Sequence, residues 1–177
     1  MAVPIAIPRP SADEHSEGVG RYLAGVPGED ARRVLVSQTD EVDRLLGALP
    51  EARVLHRYAP GKWSVKEVLG HLSDCERIYG YRALCFARGD ATPLPGFDEN
   101  AYAPAGRFDV RPLGDLLDEW RAVRGSTLAL YRGLDAEALL RRGVANGKPI
   151  SVRALAWLAA GHTRHHLGVL RERYGLR

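Results

Sequence analysis

Apolar residues recur at three- and four-residue steps along most of the chain, the period of helices that bury one face. After Pro27-Gly28-Glu29-Asp30, the residues Leu35, Gln38, Val42, Leu45, Leu46 and Leu49 share a stripe that ends at Pro50. A second stripe, Val65, Val68, Leu69, Leu72, Cys75, Tyr79, Arg82 and Phe86, stops at Gly89. It opens on a capping box, Ser64-Val65-Lys66-Glu67. There the serine hydroxyl can accept from the Glu67 amide while the Glu67 carboxylate reaches back to the Ser64 amide. A third stripe runs through Leu113, Leu116, Leu117, Trp120, Val123, Thr127, Tyr131 and Leu134, behind Pro112, which suits a first helical position. The last helix is predicted from Val152 to Tyr174, with Ser151 as its N-cap and Gly175 where a C-terminal glycine belongs.

The segments between these stripes carry other signals. Residues 1–27 are rich in Pro, Gly and Ser without periodicity and predict an extended or loosely docked N-terminal extension, leaving 28–177 as the folded domain. Residues 89–111, broken by Pro93, Pro95 and Pro104, form a long loop of the kind that is functional or crosses between distant elements. Asp135 caps a short helix, and Asn146-Gly147-Lys148-Pro149 reads as a turn. Alternating β-branched and aromatic segments are absent, so no strand is predicted. The pattern is that of an all-α protein: a four-helix bundle with a long crossover between its second and third helices.

Composition narrows the setting. A chain of 177 residues, 45% hydrophobic and 27% charged, is long enough for a sizeable core and is not of disordered type. Its longest nearly apolar run, Ala154 to Gly161, is far short of the roughly 20 residues that span a bilayer. The N-terminus lacks the basic region of a signal peptide, so a cytoplasmic protein is expected. Net charge is +3 without a basic block interleaved with aromatics, which points away from nucleic acid as a partner. Cys75 and Cys85, ten residues apart on one helix, are separated by about 15 Å of rise and cannot pair with each other. A reducing compartment is the simpler reading.

The six histidines change the picture most. His162 and His166 stand one helical step apart, only about 40° around the axis, on the face that carries Leu155, Leu158 and Val169. His165 lies near the edge of that face, and His71 lies beside the stripe of the second helix. Bundle metal sites are built from side chains on facing helices, and three neutral imidazoles suit zinc, nickel or a similar metal with positions left for water. The same residues also suit a core of hydrogen-bonded histidines. Thr163 stands where a zincin would place glutamate, which points away from protease chemistry. Cys75, one turn beyond His71, reads as a small buried side chain. In the long loop, Asp98 and Tyr102 are candidates to cover the site and move a proton, although Asp98 also suits a local cap.

Three stretches carry a family resemblance. They are Tyr58-Ala-Pro-Gly-Lys-Trp-Ser-Val-Lys-Glu-Val-Leu-Gly-His71-Leu72, Pro95-Gly-Phe-Asp98-Glu-Asn-Ala-Tyr102, and Gly161-His162-Thr-Arg-His165-His166-Leu-Gly168. Together they resemble the DinB/YfiT-like superfamily over about residues 30–175. The resemblance implies a four-helix bundle holding a divalent metal, commonly nickel or zinc, on His71, His162 and His166, with His165 outside the ligand set. It also implies a homodimer acting on a small-molecule substrate. Members of the family include transferases that use low-molecular-weight thiols such as bacillithiol or mycothiol. Others are metal-dependent hydrolases, and a metal-binding stress-response protein without turnover is a third expectation.

Overall fold

A computed structural model describes residues 5–177. Its helices are α1 (Glu17–Ala24), α2 (Ala31–Leu46), α3 (Glu51–Val54), α4 (Val65–Ala87), α5 (Glu99–Ala105), α6 (Leu113–Arg132), α7 (Ala136–Leu140) and α8 (Val152–Tyr174), and a hairpin of β1 (Arg142–Ala145) and β2 (Lys148–Ser151) precedes α8. The long helices α2, α4, α6 and α8 form a four-helix bundle. Helix α4 packs on α6 and α8, and α2 packs on α8 and α6, so α2 and α4 stand at opposite corners. No helix among the described residues is long and apolar enough to cross a membrane.

Local chemistry at the helix ends follows the sequence. The Ser64 hydroxyl accepts from the Glu67 amide at 3.0 Å and the Ser64 amide donates to the Glu67 carboxylate at 2.8 Å. Asp135 and Ser151 cap α7 and α8, and Gly175 ends α8 in the left-handed region at φ 64°. The expected absence of strands is corrected. Asn146 and Gly147 both have positive φ, 51° and 69°, and turn β1 back on β2. Strands of four residues containing a glycine and a proline are too short to show alternation, so only their Asn-Gly turn was visible.

Residues 5–27 of the N-terminal extension pack on the bundle; residues 1–4 lie outside the described residues. Ile7 is buried, its amide donates to Asp30 at 2.9 Å, and its carbonyl accepts from the Ala31 amide at 3.1 Å. The Trp157 indole donates to the Pro8 carbonyl at 3.0 Å, and the Arg9 guanidinium lies 4.3 Å from the Trp157 ring centre. Burial raises the Glu14 carboxyl, but the Arg153 guanidinium and the Ser11 amide outweigh it and hold it at about 2. The segment is thus fastened by partners distant in sequence, which no local periodicity announces.

Helix α1 lies against α8 at Gly161. A methyl group there would meet the Tyr22 carbonyl oxygen at 2.5 Å, and a backbone atom cannot rotate away. Gly161→Ala is expected to lift α1 and cost about 1–3 kcal/mol, as overpacking typically does. A lower urea midpoint at unchanged slope is the measurement.

The apolar core has two parts. One gathers Leu35, Phe86, Tyr131 and Trp157; the other gathers Val42, Leu72, Trp120 and Leu167. Between them each bundle helix contributes polar groups: Gln38 from α2, His71 and Glu76 from α4, Arg124 from α6, and His162, Thr163 and His166 from α8. This polar layer positions the site.

Candidate metal centre

His71 from α4 and His162 and His166 from α8 turn their rings to one point. The Nε2 atoms of His71 and His162 are 3.0 Å apart, and those of His166 and His162 are 3.2 Å apart. Nitrogens about 2.0–2.1 Å from one metal ion would be separated by about 3.0 Å at right angles and about 3.4 Å in a tetrahedron. These two spacings fall in that interval, and the three ligand nitrogens all lie within 4.8 Å of one another. His71 and His162 are buried and His166 is partly so. Burial lowers the His71 pKa to about 4 despite the opposing Glu99 carboxylate, lowers His166 to about 3, and holds His162 well below the ordinary value. All three imidazoles are therefore neutral near pH 7, with lone pairs free for a metal. The donor set fits a divalent ion.

The surroundings restrict what else the histidines can do. Trp63 lies 4.7 Å from the His71 ring, centre to centre, and Tyr22 and Tyr79 each stand edge-on to His162 at 5.8 Å. The buried His166 Nδ1 has no hydrogen-bond partner among the described residues. His165 is exposed and stands edge-on to Tyr22, outside the converging set. The Cys75 sulfur lies 3.6 Å from the His71 ring nitrogens. Burial pushes its thiol up to about 12, which makes it a poor nucleophile at neutral pH. Both cysteines are free.

A cavity of about 450 Å³ opens beside the cluster. Helix α1 contributes Tyr22, α4 contributes Tyr79 and Arg82, the long loop contributes Phe97 and Glu99, and the hairpin contributes Lys148. The loop is held over this opening by Leu94, whose amide donates to the Val144 carbonyl at 2.9 Å and whose carbonyl accepts from the Asn146 amide at 3.0 Å.

Asp98 and Tyr102, the loop candidates, are not among the residues that line the cavity. Asp98 is the N-cap of α5, accepting from the Asn100 amide at 2.9 Å, and Tyr102 is exposed beside Phe97. The capping role fixes the side chain of Asp98 along the helix start, so the next residue, Glu99, turns to the histidines. The periodicity of a seven-residue helix inside a proline-rich loop was too short to reveal that choice. Tyr22 was likewise hidden, since α1 sits in a segment without an apolar stripe.

The structure is a four-helix bundle whose polar layer gathers three imidazoles, a set that could hold a metal ion, against a cavity. Residues 35–170 match the DinB superfamily, and the chain belongs to that family. Among solved structures, the chain is similar to YfiT from Bacillus subtilis, described as a probable metal-dependent hydrolase with an unusual four-helix bundle topology. The TM-score is 0.74 at 18% identity, covering 96% of this chain and 94% of that one. It is also similar to the mycothiol-dependent maleylpyruvate isomerase, with a TM-score of 0.65 at 15% identity, covering 82% of this chain. The chain spans 61% of that isomerase's length. No curated protein matches it by sequence. At these identities the likeness establishes the fold.

Proposed function

We propose that the protein is a metal-dependent transferase that joins a low-molecular-weight thiol of the bacillithiol type to a small electrophile. The observation that carries this reading is the convergence of His71, His162 and His166 on the wall of a cavity large enough for a small molecule. Burial holds the Cys75 thiol protonated, which favours an external thiol as the attacking group. A divalent ion on His71, His162 and His166, nickel or zinc in this reading, supplies Lewis acidity that lowers the pKa of a thiol or water presented to it. Glu99, on the cavity wall, accepts the proton the thiol gives up. Trp63, Tyr22 and Tyr79 line the approach with aromatic surface and keep bulk water from the reacting atoms. Metal-dependent hydrolysis is the second reading, favoured by the near-complete overlap with YfiT; in it Glu99 takes a proton from water.

Purified protein is expected to carry close to one divalent ion per chain by elemental analysis, and His162→Ala to lower that content by about tenfold or more. Full metal content in both His162→Ala and His71→Ala would remove the site. Incubation with bacillithiol and an aryl halide is expected to give the thioether. Product formed from esters or amides without thiol would instead establish hydrolysis. No turnover of either kind by metal-loaded protein would leave a binding role.

A further inference from the structure

Arg82 lies on the face of α4 that begins at His71 and is only 7% exposed. Other deeply buried cations in this protein hold a carboxylate: Arg124 meets Glu76 at 2.7 Å and Lys66 meets Glu51 at 2.6 Å. Arg82 holds none among the described residues. Its Nη2 donates to the Pro95 carbonyl at 2.8 Å, while Nε and Nη1 have no acceptor there. Tyr79 and Cys75, on the same face of α4, line the same cavity and offer it no carboxylate. A buried guanidinium without an anion is costly, and it is tolerable here because the group faces the cavity. Lys148, exposed on the hairpin side of the same cavity and also without a carboxylate partner among the described residues, adds positive charge at its wall.

We infer that Arg82 receives a carboxylate of the electrophilic substrate, so that the molecule processed in this cavity is an organic acid. The guanidinium presents a planar fork that matches a carboxylate, with N–H groups left over from its bond to Pro95. Eleven residues separate His71 from Arg82, about 16 Å of helix rise, which the arginine side chain shortens by leaning towards the helix N-terminus. The acid is therefore elongated, its carboxylate on Arg82 and its reacting carbon towards the histidines. This inference rests on the proposed reaction site, but its binding step is measurable without metal or turnover.

Calorimetric titration with succinate, glutarate and benzoate, against dimethyl succinate and inorganic phosphate, tests it. Wild-type protein and the metal-site variant His162→Ala are both expected to bind at least one of the acids saturably, and neither to bind the diester. Arg82→Gln is expected to lose this binding. Arg82→Lys, which keeps the charge and the fold but not the fork, is expected to weaken it by about tenfold. Binding within twofold of wild type in a folded Arg82 variant overturns the inference. So do the absence of saturable binding to wild type, phosphate binding as tight as the best acid, and loss of binding in His162→Ala. Failure of thiol transfer with acid binding intact would overturn the proposed reaction and leave this subsite standing.

Discussion

Glu76→Ala is expected to destabilise the protein by about 3–5 kcal/mol, the usual cost of stranding one partner of a buried ion pair. Arg124 is fully buried, and its guanidinium is satisfied on every side. Nε and Nη2 donate to the two Glu76 carboxylate oxygens at 2.7 and 3.1 Å, Nη1 to the Leu35 carbonyl at 2.7 Å, and Nη2 also to the Thr163 hydroxyl at 3.0 Å. Gln38 extends the network by donating to the Ala160 carbonyl at 2.8 Å. All four bundle helices thus meet at one cation, with Trp120 packed on its face at 4.5 Å. Removing Glu76 leaves a charge that water cannot reach. Replacing both partners by apolar residues of similar size removes the desolvation cost as well, so Glu76→Leu with Arg124→Met is expected to recover most of the loss. Urea denaturation of the two variants measures the difference. A loss below about 1 kcal/mol in Glu76→Ala would contradict the account.

Metal-free protein is expected to lose several kcal/mol of stability between pH 7 and pH 4. The folded-state pKa of His71 is about 4 and of His166 about 3, and His162 is also far below its ordinary value, all through burial. In the unfolded chain each histidine titrates near 6.5. Below that value the unfolded state binds protons that the folded state excludes, so stability falls as pH falls. Each unit of difference is worth about 1.4 kcal/mol, and His71 alone accounts for about 3 kcal/mol at full effect. Glu14, held at about 2 in the folded state, steepens the loss below its unfolded value. Urea midpoints of chelator-treated protein across this range provide the measurement. His162→Leu is expected to flatten the slope, and a pH-independent midpoint between 7 and 5 in wild type would contradict the burial argument. Metal uptake is expected to weaken on the same acidic side, because protons compete for the ring nitrogens.

The four bundle helices were legible in the sequence because their determinants are local. The Ser64–Glu67 box, the Ser151 cap and the apolar stripes all act within a turn or two of helix. The same arithmetic placed His71 beside one inward stripe and His162 with His166 on another. It also put Arg82 and Gln38 in stripes otherwise apolar, an anomaly whose meaning depended on partners elsewhere in the chain.

What faces what was decided by the tertiary structure. Sequence spacing sets direction around one helix axis, but the meeting of His71 with His162 spans 91 residues and follows from how α4 packs on α8. Glu99 rather than Asp98 turns to the cavity because capping α5 consumes the Asp98 side chain, a choice made only once the loop is fastened at Leu94. The N-terminal segment carries no repeat and could not be read as part of the core, yet Tyr22 and Ile7 are held there by α8 and the start of α2. The sequence by itself determined the four bundle helices and which of their faces carry His71, His162 and His166, through interactions between near neighbours. The cavity, its carboxylate and its unpaired guanidinium depend on contacts between distant residues, and only the packed structure brings those together.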